Sequence, residues 1–236
     1  MRKASGWLVL LFTVSLWGCA VMPSPPAQVT APDSSPVEDL PEGEGWWYAR
    51  FHIARPEGEP TRWHIDTLLA GEVIAPVFDR RYGDILIWRI HRRAPQDEYG
   101  HVFSFIFYST AAGAQRIYRD IDNSPVLARL LQDGDVTRTA FDDVGVLARP
   151  DIGDTSDAAW LPVVQQTWPA LIMGASRMWL DMVTVLADRQ PQELGLHERY
   201  QAVHREISRI WAEQGQHAVL HHLSAIYGYK PLLIRY

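Results

Sequence analysis

The chain has 236 residues, with 22 lysines and arginines against 28 aspartates and glutamates, and it contains one cysteine. This length suits one domain with a small extension. The acidic balance argues against nucleic acid or an anionic lipid surface as a partner, because both require a basic protein face. A single cysteine excludes an internal disulfide, so burial of apolar side chains must supply the stability.

The first residues have the layout of a bacterial secretory signal. Arg2 and Lys3 precede an apolar run, residues 7–16, that is too short to span a bilayer as a permanent helix. The run ends in Leu16-Trp17-Gly18-Cys19, which resembles the lipobox of bacterial lipoproteins. Trp17 departs from the small residue that this class favours.

The resemblance implies that residues 1–18 are removed as a signal peptide and that the Cys19 sulfur carries a diacylglyceryl group. Two or more acyl chains anchor a protein stably, because each buried CH₂ contributes about 0.8 kcal/mol. Ala20 stands where an aspartate would retain such a protein in the inner membrane, so the implied location is the periplasmic face of the outer membrane. The alternatives are an uncleaved N-terminal anchor and an ordinary secreted protein.

Residues 19–45 are predicted to form a disordered tether. Proline, serine and acidic residues dominate this segment, and aromatic residues are absent from it. Such a composition cannot build a core and keeps the chain extended. We expect the tether to hold the folded part away from the membrane.

Residues 46–150 have the predicted order strand, helix, strand, strand, helix, strand. Runs rich in aromatic and β-branched residues predict strands over 46–53, 84–92, 101–109 and 135–144. Three- and four-residue apolar spacings predict helices over 61–81, with Thr61 as N-cap, and over 112–131, with a break near 123–125. This order is typical of an α+β, ferredoxin-like split-βαβ fold, with four antiparallel strands and two helices on one face.

Residues 151–236 are predicted to form a helical extension packed on this sandwich. The longest pattern runs over 155–188, with its cap within 155–157 and a kink at Pro169. Further helices are predicted over 197–213 and 217–227. Because polar residues recur at helical spacing in the long pattern, we expect that helix to face the core rather than lipid.

The alternation of strand side chains defines a candidate ligand or partner face. If the apolar residues of the first two strands face the helices, their polar residues point away, with the third strand between them. The candidate residues are Arg50, His52, Arg89, His91 and Tyr108, with Ser104 or else His101 from the third strand. Arginine beside histidine favours an anion or carboxylate site. The alternatives are an ordinary solvated face and a polar interface beneath the C-terminal helices.

The histidines near the C-terminus are a second cluster. His217 and His221 lie at i, i+4 spacing, which can hold two ligands of a transition metal, with His222 and His204 nearby. No adjacent cysteine or Glu-x-x-His motif supports a metal, so we expect surface or partner-contact histidines and no metal. The chain has no P-loop, dinucleotide fingerprint, zinc-protease helix or nucleophile elbow, and we therefore assign no catalytic residue and no cofactor.

The order of elements between residues 46 and 186 is similar to the C-terminal domain of lanthipeptide and thiopeptide dehydratases. That domain's Arg-Tyr-x-Asp-Pro segment is absent, and its His-Leu-Arg-Leu-Arg stands here as His101-Val-Phe-Ser-Phe105. We therefore transfer neither activity nor site residues from it.

The sequence favours a membrane-anchored envelope lipoprotein that acts as a non-catalytic binding or assembly module for an envelope protein. The alternative function is that of a small-molecule-binding protein or enzyme that uses the Arg/His cluster of the strand face.

Overall fold

A computed structural model describes residues 40–93, 100–191 and 193–231 of the chain. These residues belong to one compact unit, Glu38–Tyr236. The predicted signal peptide, the lipidation site Cys19 and the tether as far as residue 39 lie outside the described residues.

Four antiparallel strands form one sheet: β1 (Glu44–Ile53), β2 (Ile87–Arg92), β3 (Val102–Thr110) and β4 (Val136–Phe141). Their order is β2-β3-β1-β4, so β3 lies between the first two strands, as predicted. The α+β class and the antiparallel sheet with a C-terminal helical stretch are confirmed. β1 begins two residues before the predicted start, because Glu44 and Gly45 still pair with the end of β3.

The predicted helix over residues 61–81 is divided into α1 (Trp63–Leu69), a π-helical segment (Ala70–Ile74) and α2 (Ala75–Arg81). The prediction of Thr61 as N-cap is wrong, since Arg62 occupies that position and makes no side-chain capping bond. Pro76 directly follows the π-helical segment in a backbone that stays helical from α1 to α2, so its missing N–H removes one helical hydrogen bond at the point where the helical pattern changes.

The second helical pattern is broken where predicted, into α3 (Ala111–Asp122) and α4 (Pro125–Gln132). Each helix has a side-chain N-cap, because the hydroxyl of Thr110 accepts from Gly113 N and that of Ser124 accepts from Leu127 N. Gly134 then reverses the chain into β4 with a φ of +76°, a conformation that favours glycine.

The core lies between the sheet and the helices α1 to α4. The side chains of Trp47, Phe51, Phe103, Phe105 and Phe107 are almost completely buried in it. They occupy alternate positions of β1 and β3, as the period of two in a strand requires. The polar side chains at the positions between them therefore point to the opposite face of the sheet.

After a 3₁₀ turn (Ile152–Thr155), the C-terminal part comprises α5 (Pro162–Asp188), α6 (Leu196–Gly215), a π-helical segment (Gln216–His221) and α7 (His222–Ile226). The predicted cap within residues 155–157 is wrong. The N-cap is Leu161, because Pro162 fits the first helical position, and the helix continues through Pro169.

α5 packs along the edge strand β2. The hydroxyl of Ser176 accepts a hydrogen bond of 3.0 Å from the backbone N–H of Ile90, a donor that points away from β3. The helix thus covers an edge that would otherwise present unpaired backbone groups.

Candidate functional site

The strand face brings several of the predicted residues into one row. Arg50 on β1 is opposite Ser104 on β3, which is opposite His91 on β2. Tyr108 lies further along β3, opposite Trp46 and therefore at the other end of the face.

Both candidate arginines make contacts with the segment that follows β4. Arg50 Nη1 donates to Asp142 Oδ1 at 2.8 Å, and Asp142 also pairs with Arg149. Arg89 is 9% exposed and donates to the hydroxyl and the carbonyl of Thr155 at 2.8 and 3.1 Å. Each guanidinium group therefore already has a hydrogen-bond partner within the protein.

The remaining candidates differ in their surroundings. Burial, followed by the positive charges of Arg138 and Arg50, lowers the pKa of His52. His91 is exposed, and the Tyr108 hydroxyl donates to the carbonyl of Pro150 at 2.5 Å. The face is thus electropositive near His52 and covered near Arg89, whereas Tyr108 stays partly exposed.

A buried charged cluster that the sequence did not reveal lies on the helix side of the sheet. Both oxygens of Asp66 lie within 3.1 Å of His101 Nε2, and Oδ2 accepts two hydrogen bonds from Arg92 at 2.9 and 3.0 Å. The Arg92 guanidinium lies over the rings of Trp63 and Trp179. Since Asp66 and His101 are inaccessible to solvent, this cluster fixes α1 to the sheet.

α5 leaves most of its apolar surface uncovered. It is long and apolar enough to cross a membrane by length and composition, with a mean hydropathy of 1.4 over 18 residues, but only 22% of that stretch is buried. The expectation that α5 faces the core holds for one stripe, which consists of Pro169, Ser176, Leu180, Val183 and Leu186. The helix is apolar on more than one side, so a single core contact cannot cover it.

A groove runs between α5 and α6. Two cavities of about 300 and 590 Å³ share Met178, Met182 and Ile210 in their walls. Trp211, which is 60% exposed, lines the smaller cavity. We call this feature the α5–α6 groove.

The three C-terminal histidines contact one another on the surface. The ring centroids of His217, His221 and His222 are 5.2 to 5.6 Å apart. Among the described residues, however, the group whose potential ligand atoms converge is a different one, formed by Asp133, Asp135 and His197.

That group borders a cavity of about 540 Å³, which is also lined by Arg62 and His64. Burial, followed by the charges of Arg62 and of neighbouring histidines, lowers the pKa of His64 to about 4. The imidazole of His64 is therefore neutral near pH 7.

Comparisons of the chain with protein-family models, with curated proteins and with solved structures found no match. Any functional assignment for this chain must therefore rest on its residues and their geometry.

Proposed function

We propose that this protein is a non-catalytic binding module of the bacterial envelope, anchored to the outer membrane through lipid on Cys19. Its α5–α6 groove would dock an amphipathic α-helix of an envelope protein. The observation that carries this proposal is an exposed apolar stripe with a seven-residue period on α5.

The stripe consists of Val164, Leu171, Met178 and Val185, each between 40% and 48% exposed. Trp168, Ala175 and Met182 lie four residues after the first three, so the seven positions follow the alternating spacing of a coiled-coil seam. Such a seam leaves apolar side chains in contact with water. A second helix packed against the seam would remove them from water and so stabilise the complex.

The chemistry of the groove also suits a protein partner. Met178 and Met182 are flexible side chains that adapt to the shape of a bound surface. Trp179 and Trp211 supply large aromatic surfaces of the kind that dominate interface energetics. A helix lying in an apolar groove is a common mode of peptide recognition.

Several features favour a protein helix over a bilayer as the occupant. α5 is fixed to the sheet edge by Ser176, so burying it in lipid would also bury the edge of the sheet. Arg177 and Asp181 form an exposed ion pair on α5, bordering the groove. Without residues 1–18, which carry two cations and no acid, the net charge changes from −6 to −8 and disfavours an anionic surface.

The strand face that contains Arg50, His52, Arg89 and His91 gives less support to the alternative function. Arg50 and Arg89 already have acidic or hydroxyl partners within the protein. A small anion would have to compete with those partners for the guanidinium groups, whereas a helix in the α5–α6 groove would not compete with any of these contacts.

Co-purification from crosslinked envelopes tests the proposal. We expect one stoichiometric protein partner with the native full-length chain and its loss with Leu171→Lys/Met178→Lys, because a lysine pair in the seam would have to be desolvated. Val146→Lys is the matched control, since Val146 is also exposed but lies in the loop after β4. Cys19→Ala tests the lipid anchor independently of the groove, because this variant should be released from the membrane.

A partner that is retained by the Leu171→Lys/Met178→Lys chain, or lost equally with Val146→Lys, would contradict docking in the groove. Recovery of lipid alone from the native chain would favour a bilayer as the occupant.

A further inference from the structure

The cavity beside the start of α6 brings together residues that are distant in the sequence. Asp133 and Asp135 flank Gly134 in the turn between α4 and β4, and His197 lies in the first turn of α6. His64 reaches the same cavity from α1, with its ring centroid 6.1 Å from that of His197.

The donor atoms have the spacing of a coordination shell. One oxygen each from Asp133 and Asp135 and one ring nitrogen of His197 all lie within 4.8 Å of one another. His197 Nε2 is 3.1 Å from Asp135 Oδ2. Adjacent ligand atoms of a tetrahedral zinc ion are roughly 3.3 Å apart, given metal–ligand bonds of about 2.0–2.1 Å. Asp133 is exposed and its Oδ2 lies 3.5 Å from Arg129 Nε, an ion pair that a bound ion would have to share.

The buried carboxylate is held in a defined orientation. Asp135 is 6% exposed, and its Oδ1 accepts from Arg62 Nη2 at 2.6 Å. This contact directs Oδ2 towards His197. An outer hydrogen bond of this kind is what positions carboxylate ligands in metal sites.

The donor types define the class of ion. The carboxylates of Asp135 and Asp133 pair with Arg62 and Arg129, so two guanidinium groups balance the two carboxylates and the ligand atoms would have to select the ion. Imidazole together with carboxylate suits zinc, nickel, cobalt or iron, whereas calcium and magnesium prefer oxygen ligands alone.

From this geometry we infer that Asp133, Asp135 and His197 form a binding site for a divalent transition metal of the zinc class. His64 is the nearest candidate for a fourth ligand, and water fills the position otherwise. The ion would link the start of α6 to the turn before β4 and so brace the helix that forms one wall of the α5–α6 groove. This site is separate from the groove and does not depend on a protein partner.

Zn²⁺ titration of the full-length chain in detergent, without a histidine tag, tests the site. The background should carry His217→Gln, His221→Gln and His222→Gln, so that the surface histidines do not contribute. Competition with a chromophoric chelator gives stoichiometry and affinity, and the visible spectrum of bound Co²⁺ reports the ligand geometry.

We expect one ion per chain, with affinity reduced more than about tenfold by Asp133→Asn and by His197→Gln. Asp133 is exposed and His197 is half-buried, so we expect both variants to keep the fold even if Asp135→Asn does not. Glu59→Gln is the matched control, because Glu59 lines the same cavity outside the converging group, and its affinity should stay within about twofold of the native value.

Absence of stoichiometric binding would overturn the inference and leave Arg62, Asp135 and His197 as a structural ion-pair network. It would equally be overturned by an affinity that Asp133→Asn and His197→Gln leave unchanged, or that the control Glu59→Gln lowers as much as they do.

Discussion

His197 Nε2 lies 3.1 Å from Asp135 Oδ2 and connects the first turn of α6 to the turn that precedes β4. If a metal ion occupies this contact, it binds only the folded chain and stabilises it by mass action. We expect Zn²⁺ to raise the thermal unfolding midpoint of the native protein and EDTA to reverse the effect.

The Asp133→Asn chain should unfold at the same temperature with and without Zn²⁺. Differential scanning calorimetry of both proteins checks this result. An equal Zn²⁺ effect on the two proteins would place the ion elsewhere.

The buried cluster around Asp66 should be costly to break. Asp66→Ala leaves Arg92 and His101 without their carboxylate partner in the interior, and such losses typically cost about 3–5 kcal/mol of unfolding free energy. Asp181→Ala removes an exposed partner of Arg177 and should cost less than about 1 kcal/mol. Denaturant titrations followed by tryptophan fluorescence measure both changes in unfolding free energy. Similar losses in the two variants would mean that burial of the carboxylate does not determine the size of the loss.

Two glycines should respond to alanine in opposite directions. A Cβ at Gly71 would lie 2.3 Å from the Tyr200 hydroxyl oxygen, and Tyr200 is buried and donates to Glu72 at 2.9 Å. Gly71→Ala should therefore lower the unfolding free energy by about 1–3 kcal/mol through overpacking.

Gly174 on α5 has open space around its Cβ position, so Gly174→Ala should raise the unfolding free energy by about 0.5–1 kcal/mol. The same denaturant titration compares the two variants. A neutral Gly71→Ala would show that Tyr200 can move aside.

The protein should lose stability as the pH falls below about 6.5, partly because of His204. Burial, followed by the positive charge of Arg92, lowers the pKa of His204 below its usual 6.5. The unfolded chain therefore takes up a proton at a higher pH than the folded chain does, and the unfolding free energy falls as the pH drops from 6.5 towards the folded pKa.

His204→Leu removes this proton uptake, so the variant should lose less stability between pH 7.5 and pH 5 than the native protein. Unfolding measured at both pH values checks the difference. Parallel losses would mean that His204 titrates alike in the folded and unfolded chains.

Strong local patterns made the sheet predictable. The alternation in β1 assigned Trp47 and Phe51 to one face and Arg50 to the other, and burial of the two aromatic side chains agrees with that division. The face of β3 was left open between Ser104 and His101, and the register places Ser104 beside Arg50. The order of strands and helices was sufficient for the α+β class. Helix starts were less predictable, because Thr61 and Ser156 have suitable side chains but the backbone begins each helix after them, at Trp63 and Pro162.

The converging sites depended on tertiary contacts that no local pattern encodes. Asp66 and His101 are 35 residues apart, and Asp135 and His197 are 62 apart. The register brings Arg50, Ser104 and His91 into one row, but the sequence did not reveal that Thr155 would hold Arg89. The seven-residue stripe on α5 could have been found in the sequence, since its spacing is local, but its exposure could not.

In-cell photocrosslinking from the α5–α6 groove tests the central claim most directly. A photoreactive phenylalanine analogue placed at Met178 and, separately, at Trp211 should give a crosslink to the same envelope polypeptide, since both side chains line one groove. The analogue at Val146 should not give that product. Crosslinks from Met178 and Trp211 to unrelated proteins, or the same product from Val146, would contradict a helix-docking groove.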